Sequence, residues 1–323
     1  MNDILIIDPD TKAQLTKSSE GLLQNGLVKF PFKNGAYRLV SDSNYTENFG
    51  KEWNTFQTTQ IDKHTGNNVS KVRLFAQTGW KENDFAGENI LEVGSGAGRF
   101  TQILIDYTKA NIFTVDYSNA VEANFRNNGP HERLNIFQGS IYDLPFAPKQ
   151  FDKVICLGVL QHTPDFKNSV QCLCNMVKPG GQLVIDFYPI KGWYSKINAK
   201  YMLRPFVKNM DHQRMMKLID KNVDWMISAH MFFKKIGVGK IVNRFIPVCD
   251  ISTTVPKGLS KAQLREWVVL DTFDMMSPAF DNPQSLATVS QWLKEFGMEQ
   301  IDASMVKFAE VFEAATIRCT QKQ

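Results

Sequence analysis

From residue 89 onward, short apolar runs alternate with longer stretches in which apolar residues recur every three or four positions. The runs of strand length are Asn89–Val93, Asn111–Val115, Leu134–Phe137, Lys153–Leu157 and Gln182–Phe187. Between them, Arg99–Tyr107 and Phe166–Val177 have the spacing and length of helices. This alternation is typical of a parallel sheet covered by helices, so the pattern predicts an α/β domain.

The alternation stops after the fifth run and resumes late in the chain. Residues 190–262 are helical in texture and rich in Met, Phe, Lys and Arg. A helix over Gln284–Phe296 and strands over Met298–Ala303 and Glu313–Cys319 follow. We therefore predict that 190–262 is a helical cap inserted after the fifth strand, and that 263–323 completes the core sheet.

The first eighty residues have a different texture. Turn signals separate three predicted strands, Ile4–Ile7, Leu27–Phe32 and Tyr37–Val40. We assign residues 1–44 to a small β-rich module and the aromatic segment 45–80 to a helical lid, with Ser70 as a helix N-cap. The core of the α/β domain then spans residues 81–189.

The composition excludes several classes of protein. With 43% hydrophobic and 22% charged residues, a chain of 323 residues buries a substantial core and is not mainly disordered. No apolar run approaches the roughly 18 residues of a membrane span. The start Met1-Asn2-Asp3 has no basic segment typical of a signal peptide, and five cysteines do not form a disulfide framework, so we expect a cytoplasmic protein. Cys172 and Cys174 have no second pair at zinc spacing, and we predict no metal.

The net charge of +4 hides an uneven distribution. The segment from Lys191 to Pro247 contains twelve Lys or Arg and three Asp or Glu, against 25 basic and 30 acidic residues elsewhere. Clustered positive charge attracts phosphates and anionic surfaces, and it is equally typical of a solvated helical face. Both interpretations stay open.

A glycine-rich loop follows the first strand of the alternation. Leu91–Arg99 reads Leu-Glu-Val-Gly-Ser-Gly-Ala-Gly-Arg, and Asp116 ends the next strand, 22 residues after Gly94. Glycines allow the backbone to approach a ligand at the carboxyl edge of a sheet, where α/β folds bind ligands. A dinucleotide fingerprint has glycine at the position of Arg99, and no lysine follows as in a P-loop. With Glu92 and Asp116 placing negative charge at the pocket, a cationic sulfonium ligand fits better.

Five segments together resemble a known family. They are Leu91–Thr101, Val115–Ser118, Gln138–Phe146, Phe151–Asp152 leading into Leu157–Asp165, and Val177–Gly181. Over roughly residues 80–190, their order and spacing are similar to those of class I S-adenosylmethionine-dependent methyltransferases of the small-molecule type. The resemblance implies a Rossmann-like seven-stranded sheet, S-adenosyl-L-methionine as cofactor and S-adenosyl-L-homocysteine as product.

The resemblance also implies a set of cofactor-binding residues. They are Arg73, Glu92, Gly94, Ser95, Gly96, Gly98, Arg99, Asp116, Tyr117, Ser118, Ser140, Ile141, Leu157 and Gly158. The glycine backbone would pack on the methionine part, Asp116 would hold the ribose, and Tyr117 would pack on the adenine. Ser140 stands where many relatives have Asp, which weakens the contact to the adenine amino group.

The acceptor half of the site is less clearly marked. His162, which follows the fourth strand, is the candidate general base, and capping of the local turn is the alternative role. Candidate substrate contacts are Trp53, Tyr188, His212 and His230. The acceptor atom stays open among oxygen, nitrogen, sulfur and carbon.

The N-terminal segment has a weaker resemblance of its own. Asp8-Pro9-Asp10 and Phe30–Leu39 are similar to zinc-ribbon-like modules that precede some methyltransferases, but the cysteines are missing. We therefore expect the β-rich shape without a metal.

We hypothesise an S-adenosylmethionine-dependent methyltransferase that acts on a small molecule enclosed by the cap, including anionic or phosphorylated acceptors. One alternative is an RNA methyltransferase that uses the basic cap, although Leu157–Leu160 is not the Asn-Pro-Pro-aromatic motif that methylates base amines. A catalytically silent, cofactor-binding partner subunit is another. The basic, apolar cap is also compatible with peripheral contact to an anionic membrane.

Overall fold

A computed structural model describes residues 4–41, 46–190, 192, 197–208, 210–309 and 312–323, and it gives no account of the side chains of residues 47, 48 and 51. Within these ranges, eleven strands form one sheet. The strands are β1 (Thr16–Lys17), β2 (Gly21–Gln24), β3 (Leu27–Lys33), β4 (Ala36–Arg38), β5 (Asn89–Val93), β6 (Asn111–Asp116), β7 (Leu134–Gln138), β8 (Phe151–Cys156), β9 (Val177–Phe187), β10 (Met298–Phe308) and β11 (Phe312–Gln321). The α-helices are α1 (Glu47–Thr55), α2 (Asp62–Thr65), α3 (Val69–Thr78), α4 (Arg99–Tyr107), α5 (Val121–Asn128), α6 (Phe166–Met176), α7 (Ala199–Val207), α8 (His212–Lys235), α9 (Gly239–Val242), α10 (Ile251–Thr254), α11 (Lys261–Met276) and α12 (Leu286–Glu295).

The predicted α/β core is confirmed. Its strands lie in the order β7-β6-β5-β8-β9-β11-β10, seven strands in which the first five are parallel and β11 is antiparallel to both neighbours. Because parallel strands end at the same edge, the loops after β5, β6 and β8 meet at one side of the sheet. This edge is where α/β folds place ligands.

Most predicted elements of the core are found within a few residues. The strand β9 begins five residues earlier than the run at Gln182, because Val177 pairs with Phe151 across a register shift. The strands β10 and β11 exceed their apolar runs, since they pair with each other from Met298↔Gln321 to Phe308↔Phe312. Cross-strand pairing, which local hydrophobicity does not report, sets these ends.

Three expectations for the first eighty residues need correction. Ile4–Ile7 is not a strand: Ile6 and Ile7 make isolated bridges to Phe146 and Gln14. The strands β1 and β2 lie where none was expected. Ser70 is not an N-cap, because α3 begins at Val69 after Asn68, and the Ser70 amide donates to Asp62 Oδ1 at 3.1 Å.

The N-terminal strands continue the core sheet. The strand β4 pairs in parallel with β7, through Tyr37↔Phe137 and Arg38↔Gln138, and β1 to β3 extend the sheet outward from it. Asp8, which stands at a cysteine position of zinc ribbons, is buried and accepts hydrogen bonds from Lys29 and Thr11. The assignment of 1–44 as a separate module stays a prediction.

The cap packs around an apolar core that it shares with α11. This core holds α11 above the carboxyl ends of the parallel strands. Met215, Ile219 and Val223 of α8 belong to the same buried cluster as Trp267 and Phe273 of α11. The neighbouring face of α11, with Leu270, Asp271 and Asp274, lines a cavity above the strand ends. Lys191, residues 193–196 and residue 209, which belong to the predicted basic segment, lie outside the described residues. Among the helices that the structure describes, none combines the length and apolar character needed to cross a membrane.

Candidate active site

The glycine loop between β5 and α4 requires glycine for steric reasons. Gly94 and Gly98 have φ angles of 81° and 87°, in the left-handed region that side chains avoid. A Cβ atom on Gly94 would lie 2.2 Å from Val159 Cγ2, and one on Gly98 would lie 2.1 Å from Asn128 Nδ2. Any larger residue at Gly94 or Gly98 would therefore clash with the side chains packed around the loop.

Asp116 organises the loop from the end of β6. Its Oδ2 accepts a hydrogen bond from the Gly96 amide at 2.8 Å, and its Oδ1 accepts from the Ser118 amide at 2.8 Å and hydroxyl at 2.6 Å. Burial raises the pKa of Asp116, and these hydrogen bonds offset part of that rise. The carboxyl group is held at the point where two neighbouring strands end.

A cavity of about 510 Å³ extends from the glycine loop to the cap. Thirteen of the predicted site residues line it: Trp53, Arg73, Gly94, Ser95, Gly96, Arg99, Asp116, Tyr117, Ile141, Leu157, Gly158, His162 and Tyr188. Pockets of this size are typical of small-molecule sites.

Four other predicted cofactor residues lie outside the lining. Gly98 and Ser118 support the loop and Asp116, and Ser140 Oγ accepts a hydrogen bond from the Tyr142 amide. Glu92 is buried beneath the loop, where its Oε2 accepts from Thr101 Oγ1 at 2.5 Å. Burial raises the pKa of Glu92 to about 8, so the negative charge that the sequence placed here is largely absent at neutral pH.

Two arginines line the cavity with their side chains already paired. Arg73 Nη2 lies 2.6 Å from Asp186 Oδ2, and Arg73 Nε donates to Gln77 Oε1 at 3.0 Å. Arg99 donates to Ser70 Oγ and to Gln60 Oε1, both at 2.8 Å. Burial and the charge of Arg73 lower the pKa of Arg99 to about 9.

His162 lies in a 3₁₀ turn, Leu160–His162, after β8. Its Nδ1 is 3.2 Å from the Phe280 carbonyl oxygen, which only accepts, so Nδ1 carries the proton and Nε2 keeps a lone pair. Nε2 is buried without a hydrogen-bond partner, and burial lowers the pKa of the ring. The ring lies between Phe49 and Tyr188, with centroids 5.5 Å from each.

The structure does not place His212 and His230 at the cavity. His212 packs near the Phe273 ring at the start of α8, with centroids 6.1 Å apart. His230 is buried with its Nε2 3.4 Å from Asp250, and Asp250 is the residue that lines the cavity. Both side chains pack against other residues of the cap and not against the cavity. The helical pattern of the sequence does not show which of these two surfaces a residue faces.

Sequence reasoning missed an acidic wall formed by Glu52, Asp271 and Asp274, three cavity-lining residues. Asp271 accepts from Trp267 Nε1 and Gln60 Nε2, both at 3.1 Å, and Asp274 lies 3.4 Å from the Tyr188 hydroxyl. Glu52 is 1% exposed, and neither of its oxygens has a hydrogen-bond partner. The one available signal was the pair of aspartates three positions apart in Leu270–Asp274.

The charge that faces the cavity differs from the charge of the cap as a whole. Among the described cap residues, Lys200 is the one base that lines the cavity, and it forms an ion pair with Asp281 at 2.9 Å. The other described bases of the cap lie outside the lining. The bases of the cap therefore do not surround the cavity, and an anionic or phosphorylated acceptor stays a prediction.

Comparisons with known proteins agree with this geometry. Residues 91–185 match a family model described as a methyltransferase domain. A ubiquinone biosynthesis O-methyltransferase of Pseudomonas fluorescens (strain Pf-5) is 30% identical over 125 residues, 37% of this chain and 53% of that protein. An O-methyltransferase of Aspergillus nomiae is 25% identical over 121 residues, 36% of this chain and 54% of that protein. The chain thus spans about half the length of these relatives.

A solved structure shows the same fold. The phospholethanolamine N-methyltransferase 2 of Haemonchus contortus, solved with phosphomonomethylethanolamine and S-adenosylhomocysteine, aligns with a TM-score of 0.50 and 13% identity. The alignment covers 88% of this chain and 61% of that chain. Residues 91–185 therefore form a class I S-adenosylmethionine-dependent methyltransferase domain. S-adenosylmethionine is the cofactor of this class.

Proposed function

We propose that the protein transfers a methyl group from S-adenosylmethionine to a small-molecule acceptor held in the cavity. The observation that carries this proposal is the cavity itself. The glycine loop, Asp116, His162, Tyr188 and the acidic wall all line it. Its volume of about 510 Å³ suits two small molecules in contact better than a polymer.

The residues present fit the cofactor. Gly94, Ser95 and Gly96 form a backbone cradle along the cavity, and Asp116 lines it with a carboxylate to which two ribose hydroxyls can donate. Trp53 closes the cradle from α1, since a Cβ atom on Gly96 would lie 3.4 Å from Trp53 Nε1. When bound, the cofactor supplies an electrophilic methyl group on a sulfonium.

The chain's own residues position the acceptor and manage its proton. The helices α1 and α11 exclude water above the strand ends, which strengthens electrostatic interactions inside the cavity. His162 offers an unprotonated Nε2 toward an acceptor that must lose a proton. Positioning provides much of the acceleration in such an in-line displacement.

Calorimetry with S-adenosylmethionine and S-adenosylhomocysteine tests the cofactor part of the proposal. We expect saturable binding of both, followed by methylated product with a suitable acceptor. Absence of binding would contradict the proposal, and binding without product over a broad acceptor panel would favour a silent subunit. Methylated RNA, with retention on polyanions that falls steeply with salt, would favour the RNA alternative.

Replacing Asp116 by Ala is expected to weaken S-adenosylhomocysteine binding by about 5- to 150-fold. This corresponds to about 1–3 kcal/mol for hydrogen bonds to a charged group. The exposed Asp143 provides a matched control, because it follows Ser140 in the next loop and does not line the cavity. Asp143→Ala should leave the affinity unchanged, and unchanged affinity in Asp116→Ala would remove Asp116 from the ribose site.

We also propose that the outer surface of the cap contacts an anionic membrane. Leu218, Trp225 and Phe232 recur every seven residues on α8 and are 45%, 53% and 57% exposed. Seven residues make nearly two turns, so the three side chains form one apolar stripe. The exposed Lys221 and Lys235 flank the stripe.

The acidic residues beside this stripe are partly neutralised, because Asp220 and Asp224 share the guanidinium of Arg265. Asp220 and Asp224 lie 2.8 Å and 3.3 Å from the guanidinium nitrogens of Arg265. The remaining charge is positive, and a basic, apolar helical face with an exposed Trp is typical of helices that lie in the interface of anionic bilayers.

Co-sedimentation with phosphatidylglycerol vesicles tests this contact, with phosphatidylcholine vesicles as reference. Trp225→Glu should weaken binding by roughly 30-fold, because an inserted indole contributes about 2 kcal/mol. Leu27→Glu is the matched control, since Leu27 is an apolar residue of β3 that is 76% exposed. Equal sedimentation of the two variants, or dimerisation through the stripe without vesicle binding, would contradict the proposal.

A further inference from the structure

The acidic wall of the cavity joins two distant parts of the chain. Glu52 comes from α1, whereas Asp271 and Asp274 stand on one face of α11. The three carboxyl groups are close enough to interact, because the charges of Asp274 and Asp271 add to burial in raising the pKa of Glu52 well above its ordinary value. The wall therefore concentrates acidic groups in a site shielded from water.

The described bases of the cavity do not neutralise Glu52. Lys200 is paired with Asp281, and Arg73 is paired with Asp186. Arg99 donates to neutral oxygens of Ser70 and Gln60 and its charge acts on Asp271. Glu52 is left 99% buried, facing the cavity, with two oxygens that accept no hydrogen bond. Leaving such a group without a partner is costly, so the arrangement indicates that a ligand completes it.

The surroundings of the wall favour an organic cation over a metal ion. Within the described ranges, no group of three His, Cys, Asp or Glu has the geometry to hold a metal. Phe49, Trp53 and Tyr188 line this cavity as well. Aromatic faces together with carboxylates are the surroundings that organic ammonium groups prefer.

We propose that this wall, formed by Glu52, Asp271 and Asp274, is the acceptor subsite and that it takes a small organic amine. This inference rests on the proposed methyl transfer and names its substrate class. The wall recognises the amine as an ammonium ion, whose positive charge favours the ionised form of Glu52, and the aromatic side chains surround its carbon skeleton.

The wall also removes the proton that blocks the reaction. An ammonium nitrogen has no lone pair, so a proton first passes from nitrogen to a carboxylate of the wall. The freed lone pair forms the bond to the methyl carbon as the carbon–sulfur bond breaks, and that electron pair stays on sulfur. Burial and the charge of Asp274 raise the pKa of Asp271 to about 7, which makes such a carboxylate a better base than an exposed one.

The cofactor is the second source of positive charge in the cavity, because it carries a sulfonium and an ammonium group. The fold places the wall beyond the strand ends, toward Tyr188, whose hydroxyl contacts Asp274. Asp116 and the glycine loop line the same cavity, and Gln60 contacts both Asp271 of the wall and Arg99 at the end of the loop. If the wall served the sulfonium, Glu52→Gln would weaken S-adenosylmethionine binding more than S-adenosylhomocysteine binding.

Binding to the protein saturated with S-adenosylhomocysteine tests the inference. The probes share one skeleton: phenethylamine, 2-phenylethanol and 3-phenylpropionate, observed by saturation-transfer NMR and calorimetry near pH 7. We expect phenethylamine to bind at least about tenfold more tightly than the other two, as for a charge-assisted contact. Glu52→Gln should remove most of this preference while leaving the ratio of the S-adenosylmethionine and S-adenosylhomocysteine affinities unchanged.

Two further variants secure the result. Asp274→Asn changes the same wall and should reduce the preference independently, should Glu52→Gln fold poorly. Glu295→Gln, at an exposed residue of α12, should change nothing. Equal binding of the three probes, tightest binding of the carboxylate, or a shifted cofactor ratio would overturn the inference.

The outcome separates this inference from the proposed function. Normal S-adenosylhomocysteine binding without amine preference removes the amine subsite alone. Failure of S-adenosylhomocysteine to bind removes the proposed function, and the probe preference of the free protein still decides whether the wall selects cations.

Discussion

Replacing Arg73 by Leu is expected to lower the free energy of unfolding by about 3–5 kcal/mol, because it leaves a buried carboxylate without its counter-charge. Asp186 is 2% exposed, at the end of β9, and its Oδ2 lies 2.6 Å from Arg73 Nη2. The remaining donors to Asp186 are Gln77 Nε2, at 2.6 Å, and the Gly158 amide. Neither carries a charge.

Urea unfolding without cofactor measures this effect. In the double variant Arg73→Leu, Asp186→Asn the buried charge is gone, so most of the lost stability should return. A free energy of unfolding for Arg73→Leu within about 1 kcal/mol of the wild-type value would contradict the expectation. A loss that small is typical of an ion pair on the surface. Together with the single variant Asp186→Asn, these two variants form a double-mutant cycle that isolates the pair from the packing of the Arg73 side chain on Phe100 and Phe308.

The same variants separate the two roles open to Arg73. The sequence analysis predicts that Arg73 binds the cofactor, whereas the structure shows it paired with Asp186. A contact to the cofactor would weaken S-adenosylhomocysteine binding in Arg73→Leu even after Asp186→Asn restores stability. A purely supporting role would restore stability and affinity together.

Local sequence signals predicted the elements around the glycine loop well. The helix over Arg99–Tyr107 and the strand Asn89–Val93 have the bounds that periodicity indicates. The steric demand at Gly94 and Gly98 leaves a visible mark, since only glycine fits there. Each of these features depends on residues close together in the sequence.

The acidic wall depends on contacts between distant residues, so the sequence did not reveal it. Glu52 lies more than two hundred positions from Asp271, and only the packing of α11 against the cap core brings the two to one cavity. Summed charge was misleading here, because it counts bases such as Lys221 and Lys235 that point to solvent. A net charge reports the outer surface of a segment more than its inner face.

Glu92 shows how burial changes the meaning of a motif residue. The sequence placed a negative charge at this position, next to Asp116. The structure buries Glu92, leaves its Oε1 without a hydrogen-bond partner and holds its Oε2 against Thr101. Burial, reinforced by the charge of Asp116, raises the pKa to about 8 from an ordinary value of 4.5. The folded protein thus binds a proton that the unfolded chain releases.

Stability should therefore fall as the pH rises from about 4.5 to 8, because the unfolded state binds fewer protons than the folded state in this range. Each pH unit in the range lowers the free energy of unfolding by about 1.4 kcal/mol, and the whole range lowers it by about 4 kcal/mol.

Glu92→Gln has no proton to lose and keeps an oxygen for Thr101. We expect the variant to match the wild type near pH 4.5 and to exceed its free energy of unfolding by about 4 kcal/mol at pH 8. Denaturant unfolding at pH 5, 6, 7 and 8 measures the difference, with Glu132→Gln as an exposed control. A difference that stays constant with pH would mean that Glu92 is ionised in the folded protein, and the negative charge expected from the sequence would then be restored to the glycine loop.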